Sequence, residues 1–219
     1  QAVNRMADLI KDLLDSAVEL NAHVSHELRS PLTRMRLALE LLEQKSPPSP
    51  YSATLKSEIE HLDALIGRIL LLSRLETRPE MRPETFSLPQ LIREEAQRLE
   101  AGSFTIQLEE VSTMADSVLV RSAVRNVLEN AARFRQGKGP VVIRLEKSPA
   151  PLLEVRNPTS FVGGGLERPF VRGENATDEG SGLGLALLDR IVRLHGWRWS
   201  YGEEGGNFSV RVWFSGSEP

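Results

Sequence analysis

Apolar side chains recur at helical spacing along the first third of the chain. From residue 1 to about residue 45 the sequence has no glycine and one proline, Pro31, and its apolar positions form two neighbouring rows. The proline-rich segment 46–50 then ends this helix, because proline lacks a backbone donor and disfavours helical geometry in the residue before it. A second helix is predicted over 51–76, so we expect a helical hairpin.

The second helix carries an apolar stripe whose members alternate four and three residues apart. The stripe consists of Leu55, Ile59, Leu62, Ile66 and Ile69. This spacing is typical of a coiled-coil seam. Further apolar positions lie beside the stripe, at Leu65, Leu70, Leu71, Leu72 and Leu75. A single hairpin covers one side of each helix, so we expect a homodimer in which two hairpins form a four-helix bundle.

Helical and strand periodicities are mixed after the proline-bounded segment 78–83. Helices are predicted over 88–100, 117–134 and 183–195, and strands over 104–108, 141–145, 152–155, 198–201 and 208–213. The last two strands are expected to form a hairpin around Gly205–Gly206. The predicted fold class is α + α/β, a helical hairpin followed by an α/β sandwich whose mixed sheet is covered on one face by helices. The expected segments are 1–20, the hairpin 21–78, a linker 79–85 and the second domain 86–219.

Composition narrows the possible functions. The 219 residues carry a net charge of -3 and 5% aromatic side chains, so the chain has neither the positive field nor the stacking platforms of a nucleic-acid partner. The absence of cysteine excludes a disulfide framework and a cysteine nucleophile. No apolar run reaches the roughly 18 to 20 residues that cross a bilayer. The start at Gln1 favours an excised soluble piece of a longer protein.

The segment His26–Arg34, with the sequence HELRSPLTR, carries a histidine off the apolar rows of its predicted helix. His26 lies about 200° from its nearest apolar neighbours, at about 100° per residue, so we expect its ring to be exposed. An exposed imidazole is nucleophilic, and the neighbouring Glu27 carboxylate can take the ring proton. A surface histidine without a role would show the same pattern, and His23 with His26 could instead form a metal pair at i, i+3.

Asn126 and Asn130 lie four residues apart, one turn apart on one face of the predicted helix 117–134. Amide oxygens are suitable ligands for a magnesium ion that is shared with phosphates. Asparagine is a poor helix former, so two on one face of an apolar helix favour a functional role. Two solvated asparagines without a role would have the same spacing. Arg133 could meet phosphate charge or be solvated, and Phe134 could stack on a base or belong to the core.

The run Gly180–Ala186, GSGLGLA, places alternate glycines directly before an apolar helix. Backbone amides and the helix dipole at such a start favour phosphate binding. Glycine-rich loops are common, so this run alone is weak evidence. The neighbouring segment 171–181 has no core pattern and is expected to form a mobile lid.

Four segments, in this order, resemble the sequence boxes of bacterial two-component sensor histidine kinases of the EnvZ and CpxA type. His26–Arg34 resembles the phosphoacceptor box, Asn126–Phe134 the N box, Arg168–Gly173 the F box and Gly180–Ala186 the glycine box. The opening segment 3–8 is similar to the end of a HAMP linker, so 1–20 would be a signalling helix. The resemblance implies a dimerisation and histidine phosphotransfer hairpin, followed by a catalytic ATP-binding domain of the Bergerat (GHKL-like) fold. It also implies the cytoplasmic portion of a protein anchored in the bacterial inner membrane, with membrane contact only through the missing N-terminal part.

The resemblance further implies the chemistry of signal transduction by phosphoryl transfer. ATP with Mg2+ would bind the second domain, His26 would attack the γ-phosphorus, and Glu27 would take the proton. Asn126 and Asn130 would hold the metal. The residues implied in nucleotide binding are Asn126, Asn130, Arg133, Phe134, Asn157, Gly180, Gly182, Leu183 and Gly184. The phosphoryl group would pass to an aspartate on the receiver domain of a response regulator, and phosphatase activity toward that regulator is the expected second reaction.

The chain departs from the family pattern at three positions. Asn157, followed by Pro158, stands where the family carries Asp-x-Gly-x-Gly, whose aspartate accepts the adenine amino group; an amide oxygen can accept without the charge. Glu167 replaces the first phenylalanine of the F box. Ser30 replaces the threonine or asparagine that orients water for phosphatase activity, and its hydroxyl can still do so.

These departures leave a second function open. The chain could be a nucleotide-free or phosphatase-only signalling scaffold with a degenerate kinase domain. A chaperone-like or topoisomerase-like ATPase with the same nucleotide fold is disfavoured, because it would leave the segment around His26 without a role.

Overall fold

The structure is a computed structural model that describes residues 24, 27–45, 49–77, 81–99, 104–137, 139–159 and 182–215. The chain divides into two compact units, Gln1–Pro79 and Glu80–Pro219. Several predictions fall outside the described residues: those for His23, His26, the F box with Glu167, the segment 171–181 and Gly180. Within the described ranges, no helix is both long and apolar enough to cross a membrane.

The first unit is a helical hairpin. Helix α1 is described over residues 27–45, and helix α2 spans Pro50–Thr77. Two serines cap the start of α2 reciprocally, since the Ser52 N–H donates to Ser49 Oγ (3.1 Å) and the Ser49 N–H donates to Ser52 Oγ (3.0 Å). The two helices predicted on either side of the proline segment are confirmed over the described residues.

Apolar side chains of the hairpin fall into a buried and an exposed set. The buried set consists of Leu32, Leu39, Leu70, Leu72 and Leu75. The prediction that the last three need a second copy for burial is wrong, because the single chain already covers them. Six members of the exposed set form two rows that repeat every seven residues, here called the exposed heptad rows: Leu28, Met35 and Leu42 on α1, and Leu55, Leu62 and Ile69 on α2. Seven-residue spacing is typical of a seam between helices.

The second unit contains a five-stranded mixed sheet. Its strands are β2 (Phe104–Leu108), β4 (Val141–Glu146), β5 (Leu152–Pro158), β6 (Arg198–Glu204) and β7 (Asn207–Trp213), in the spatial order β2-β4-β5-β7-β6. Strands β2 and β4 are parallel, and the other neighbouring pairs are antiparallel. Gly205 and Gly206 connect β6 to β7 with positive φ angles of 59° and 72°, which a tight hairpin turn requires. The predicted hairpin is confirmed.

Helices α4 (Ser117–Arg133) and α5 (Gly184–Leu194) pack on each other and against the sheet, while α3 (Leu88–Gln97) packs on α4. Alternate strand side chains are buried because successive residues of a strand point to opposite faces. The core contains Ile143, Leu145, Leu153 and Val155 from the strands and Leu128, Leu187 and Ile191 from the helices. The predicted α/β sandwich is confirmed.

A second sheet has only two strands and was not predicted. Strand β1 (Glu84–Ser87) pairs antiparallel with β3 (Ser112–Ala115). Glu84 and Thr85 therefore lie in a strand, although the sequence analysis places them in the linker 79–85. Four residues are too few for periodicity to distinguish a strand from a loop. The segment is a strand because it pairs with β3.

The start of α4 is held by the buried Asp116. Its carboxylate accepts hydrogen bonds from the N–H groups of Val118 and Leu119, both at 3.1 Å, and from the Arg82 N–H at 2.9 Å. The Asp116 N–H donates to His195 Nε2 at 3.3 Å. One N-cap residue therefore ties the entry of the second unit and the end of α5 to the helix that carries both asparagines.

A buried carboxylate joins α3 to α4. The Glu95 side chain is 1% exposed and accepts from Arg121 Nη1 at 2.8 Å and from Arg125 Nε at 2.7 Å. Burial raises the pKa of Glu95, but the hydrogen bonds from Arg125 and Arg121 outweigh it, so the pKa lies below its ordinary value. Glu95 is therefore ionised in the folded protein and clamps α4 one residue away from Asn126.

Glu95→Gln is expected to lower the free energy of unfolding by about 2 kcal/mol. Arg121 keeps its ion pair with Glu94, but Arg125 loses the carboxylate that it binds. Urea denaturation at pH 7 measures this difference. The lowered pKa makes the stabilisation complete above the ordinary carboxyl value of 4.5 and lost as pH falls through the folded value. The difference between wild type and Glu95→Gln should therefore shrink in acid.

Glu94 provides the matched control, because its more exposed carboxylate also lies 2.9 Å from Arg121 Nη1. Glu94→Gln is expected to leave the free energy of unfolding unchanged. Equal destabilisation by the two substitutions would show that burial of the Glu95 carboxylate has no special weight.

Candidate functional site

The candidate site lies where the second half of α4 meets the start of α5. Asn126 is buried and Asn130 is half-buried on α4. Gly184, the first residue of α5, lies against both side chains: a Cβ at this position would be 3.0 Å from Asn130 Nδ2 and 3.5 Å from Asn126 Oδ1. The structure therefore brings together two sequence boxes that are far apart along the chain.

Asn126 is held in one orientation by its own helix. Its Nδ2 donates to the carbonyl oxygen of Ser122 at 2.8 Å, one turn earlier. The amide nitrogen is thereby engaged, and Oδ1 is directed toward the start of α5, where it lies 3.5 Å from the position of a Gly184 Cβ. An oriented amide oxygen is an acceptor or a hard metal ligand.

Among the described residues, no side chain caps the start of α5. Gly182 has a φ of 67°, in the left-handed region that favours glycine, and Leu183 is the N-cap residue without a side-chain hydrogen bond. Leu183 is almost fully buried, which anchors the turn in the core. The first amides of α5 therefore rely on another acceptor, and the helix dipole favours an anion there.

The end of β5 lies beside the end of α4. The Gln136 N–H donates to the carbonyl oxygen of Pro158 at 2.7 Å. Gly139 packs so closely on Pro158 that a Cβ would lie 2.8 Å from the proline Cγ, so a side chain at residue 139 would force a shift. Gln136 and Gly139 were not predicted as site residues, because neither belongs to a motif. The Gly139–Pro140 pair was the one available turn signal.

Asn157 lies within β5, two residues past the predicted strand end, because it pairs with Phe208 of β7. It is 2% exposed and shares its face of the strand with the core residues Leu153 and Val155. Among the residues that the structure describes, Asn157 Nδ2 has no hydrogen-bond partner. Among the described residues of β5, Asn157 Nδ2 is the one buried side-chain atom without a hydrogen-bond partner.

Two further predicted residues lie at the end of α4. Arg133 is the last helical residue and is exposed, whereas Phe134 is the half-buried C-cap, whose N–H donates to the carbonyl oxygen of Asn130 at 3.0 Å. Arg133 thus has room to meet a ligand charge. Phe134 is neither fully buried nor free, so both of the alternatives considered for it, base stacking and core packing, remain open.

The segment around the predicted phosphoacceptor is described from Glu27 onward. Glu27 is exposed on α1, and the helix continues through Pro31. Ser30 Oγ accepts a hydrogen bond from Arg34 Nη1 at 2.7 Å, four residues later. Arg34 was not predicted as a site residue, although it lies four residues after Ser30, as helical neighbours do. A guanidinium therefore lies one turn from the serine at the position of expected phosphatase function.

Two family models match the chain. The His Kinase A (phospho-acceptor) domain matches residues 16–78, and the Histidine kinase-, DNA gyrase B-, and HSP90-like ATPase matches residues 115–217. Together they span more than half of the sequence. The chain belongs to the bacterial two-component sensor histidine kinases of the EnvZ and CpxA type, as the resemblance predicted.

Similar proteins and structures agree with this family. The sensor histidine kinase CpxA of Klebsiella pneumoniae subsp. pneumoniae (strain HS11286) is 28% identical over 226 residues, which cover 96% of this chain and 50% of CpxA. The chain thus spans about half the length of the curated relatives it matches. Full-length ShkA in complex with AMPPNP has a TM-score of 0.69 at 23% identity, with 89% of this chain and 45% of ShkA covered. Acinetobacter baumannii AdeS has a TM-score of 0.65 at 20% identity, with 88% and 98% covered. These two structures show the shared fold.

Proposed function

We propose that the chain is the kinase core of a homodimeric sensor histidine kinase. It phosphorylates itself on His26 with ATP and transfers the phosphoryl group to an aspartate on the receiver domain of a response regulator. The observation that carries this proposal is the contact of Gly184 with Asn126 and Asn130, which places an uncapped helix start beside two amide side chains. A signalling scaffold that binds no nucleotide has no use for this arrangement.

The site has the donors and acceptors that ATP and Mg2+ require. Asn126 and Asn130 would hold the metal, because hard cations prefer oxygen ligands and Asn126 presents its oxygen toward α5. Magnesium supplies charge neutralisation on the phosphate oxygens. The amides of the glycine box, at Gly180, Gly182, Leu183 and Gly184, would bind phosphate. Arg133 would add positive charge, and Phe134 and Asn157 would contact the base.

The proposed reaction places the nucleophile on α1. A ring nitrogen of His26 attacks the γ-phosphorus of ATP, the bond to the β,γ-bridging oxygen breaks, and ADP leaves. The exposed carboxylate of Glu27 accepts the proton that the ring loses. Ser30, one turn beyond His26, would orient water for phosphatase activity toward the regulator. Its oxygen accepts from Arg34, so the hydroxyl proton is free to turn elsewhere.

The exposed heptad rows support dimerisation. A second hairpin that packs on them would bury six large apolar side chains in a four-helix bundle, which removes apolar surface from water. The regulator would dock on this bundle around His26.

The proposed organisation follows the sequence boundaries. Residues 1–20 would end a HAMP-like signalling helix, 21–78 form the dimerisation and phosphotransfer hairpin, 79–85 the linker and 86–219 the catalytic ATP-binding domain. In the cell, this would be the cytoplasmic portion of a protein anchored in the inner membrane through an N-terminal part.

The test is incubation with Mg2+ and ATP labelled on the γ-phosphate. We expect a label on the protein that is labile in acid and stable in alkali, because the phosphorus–nitrogen bond of phosphohistidine breaks in acid. Removal of Mg2+ by a chelator should abolish it, and ATP labelled on the α-phosphate should give none. An acid-stable label would contradict phosphorylation on a histidine. No label on a folded dimer would contradict the kinase activity and favour the degenerate scaffold.

A further inference from the structure

The buried amide of Asn157 has a donor without an acceptor. Asn157 is 2% exposed, and among the described residues nothing accepts from its Nδ2. A buried donor without a partner is unfavourable, because it loses its hydrogen bonds to water and gains none in exchange. A bound ligand can supply the missing acceptor.

The position of this amide is rigidly set. Asn157 pairs with Phe208 in a strand that lies between β4 and β7, so its backbone cannot move away from the core. The next residue, Pro158, is tied to the end of α4 by the hydrogen bond from the Gln136 N–H. Asn157 therefore precedes the residue that ties β5 to the chain just after α4, the helix that carries Asn126 and Asn130.

Given the proposed function, the ligand at this end is a purine nucleoside triphosphate. We propose that Asn157 binds the 6-position of the purine in either hydrogen-bonding sense, so that this kinase accepts 6-oxopurine nucleotides such as ITP and GTP as well as ATP. The inference rests on the proposed nucleotide site and deepens it by naming the substrate class.

The reason lies in the donors and acceptors of the two kinds of base. Adenine presents an amino donor at the 6-position with an acceptor at N1, whereas hypoxanthine and guanine present a carbonyl acceptor with an N1–H donor. A side-chain amide has one donor end and one acceptor end, and a half-turn about its terminal bond exchanges them. It can therefore pair with either base. A carboxylate only accepts, so it would face the 6-oxo group with like charge and reject it.

The test compares equilibrium binding of the β,γ-imido analogues of ATP and ITP to the full chain in the presence of Mg2+. These two bases differ only at the 6-position and the N1 proton. For the wild type, the dissociation constants should lie within about tenfold of each other. In Asn157→Asp, the ratio of the ITP constant to the ATP constant should rise at least about tenfold above the wild-type ratio.

Asn157→Leu is the matched control, because leucine has a similar shape and no hydrogen-bonding group. It should weaken both analogues and leave their ratio near that of the wild type. Without nucleotide, its Tm should equal or exceed that of the wild type, because the substitution removes an unpaired buried donor. A lower Tm would show that Nδ2 is paired in the free protein and would overturn the inference.

The outcomes separate this inference from the proposed function. A wild type that binds the ATP analogue but prefers it by more than tenfold overturns the inference and leaves the kinase proposal standing. A folded wild type that binds neither analogue removes both. If Asn157→Asp does not fold, the wild-type ratio and Asn157→Leu still decide the question.

Discussion

His26→Ala is expected to abolish the acid-labile label completely, while leaving the binding of ATP unchanged. The label requires a nucleophilic ring nitrogen on α1, whereas the proposed nucleotide contacts all belong to the second unit, Glu80–Pro219. Incorporation of labelled γ-phosphate measures the first effect. The rise in Tm with Mg2+ and ATP measures the second, since binding to the folded state stabilises it.

His23→Ala provides the matched control, three residues earlier in the same predicted helix. It should retain the label at the wild-type level. Loss of the label in both variants would show that labelling does not depend on His26 alone. Persistence of an acid-labile label in His26→Ala would contradict the assignment of the phosphoacceptor.

Gly184→Val is expected to weaken the binding of ATP with Mg2+ about 100-fold. Even a Cβ at this position would lie 3.0 Å from Asn130 Nδ2 and 3.5 Å from Asn126 Oδ1, and valine adds two methyl groups beyond it. The Asn130 amide would have to turn away. Loss of two polar contacts, each contributing about 1.5 kcal/mol, corresponds to roughly this factor. Isothermal titration with the β,γ-imido analogue of ATP measures the change.

Gly202→Val is the control for the loss of a glycine, because a Cβ at residue 202 meets no atom within 4 Å. It lies in β6, where valine is well tolerated. Its affinity for the nucleotide should equal that of the wild type. Gly184→Ala should give an intermediate loss of about tenfold, since the end of a flexible amide can move by a few tenths of an ångström. Wild-type affinity in Gly184→Val would show that the start of α5 lies outside the nucleotide site.

Two features of the second unit connect its stability to its site. Glu95 fixes Arg125 next to Asn126, and Asp116 fixes the first turn of the same helix. Both are buried carboxylates with their hydrogen bonds satisfied. Asn157, by contrast, is buried, and no residue that the structure describes accepts a hydrogen bond from its Nδ2. The domain therefore holds α4 through two satisfied buried carboxylates, as expected of a pre-organised binding site.

The helices and the five strands of the main sheet could be predicted because each carries its own periodicity. The end of β5 could not, since Asn157 and Pro158 are poor strand formers and are extended because of their pairing with β7. The burial of individual apolar positions on α2 could not be predicted either. Spacing identified apolar positions, but it could not separate Leu70 and Leu75, which the single chain buries, from Leu62 and Ile69, which it leaves exposed.

The sequence by itself determined the family, because four boxes that occur in order resemble those of sensor histidine kinases. Each box is a local pattern, and local patterns survive in the order of residues. Only the tertiary structure decided that Gly184 lies against Asn130, that Glu95 is shared by Arg121 and Arg125, and that Asn157 Nδ2 has no partner in the described part of the chain. Such contacts join residues from different elements, and whether a buried polar atom is satisfied depends on every neighbour that folding brings to it.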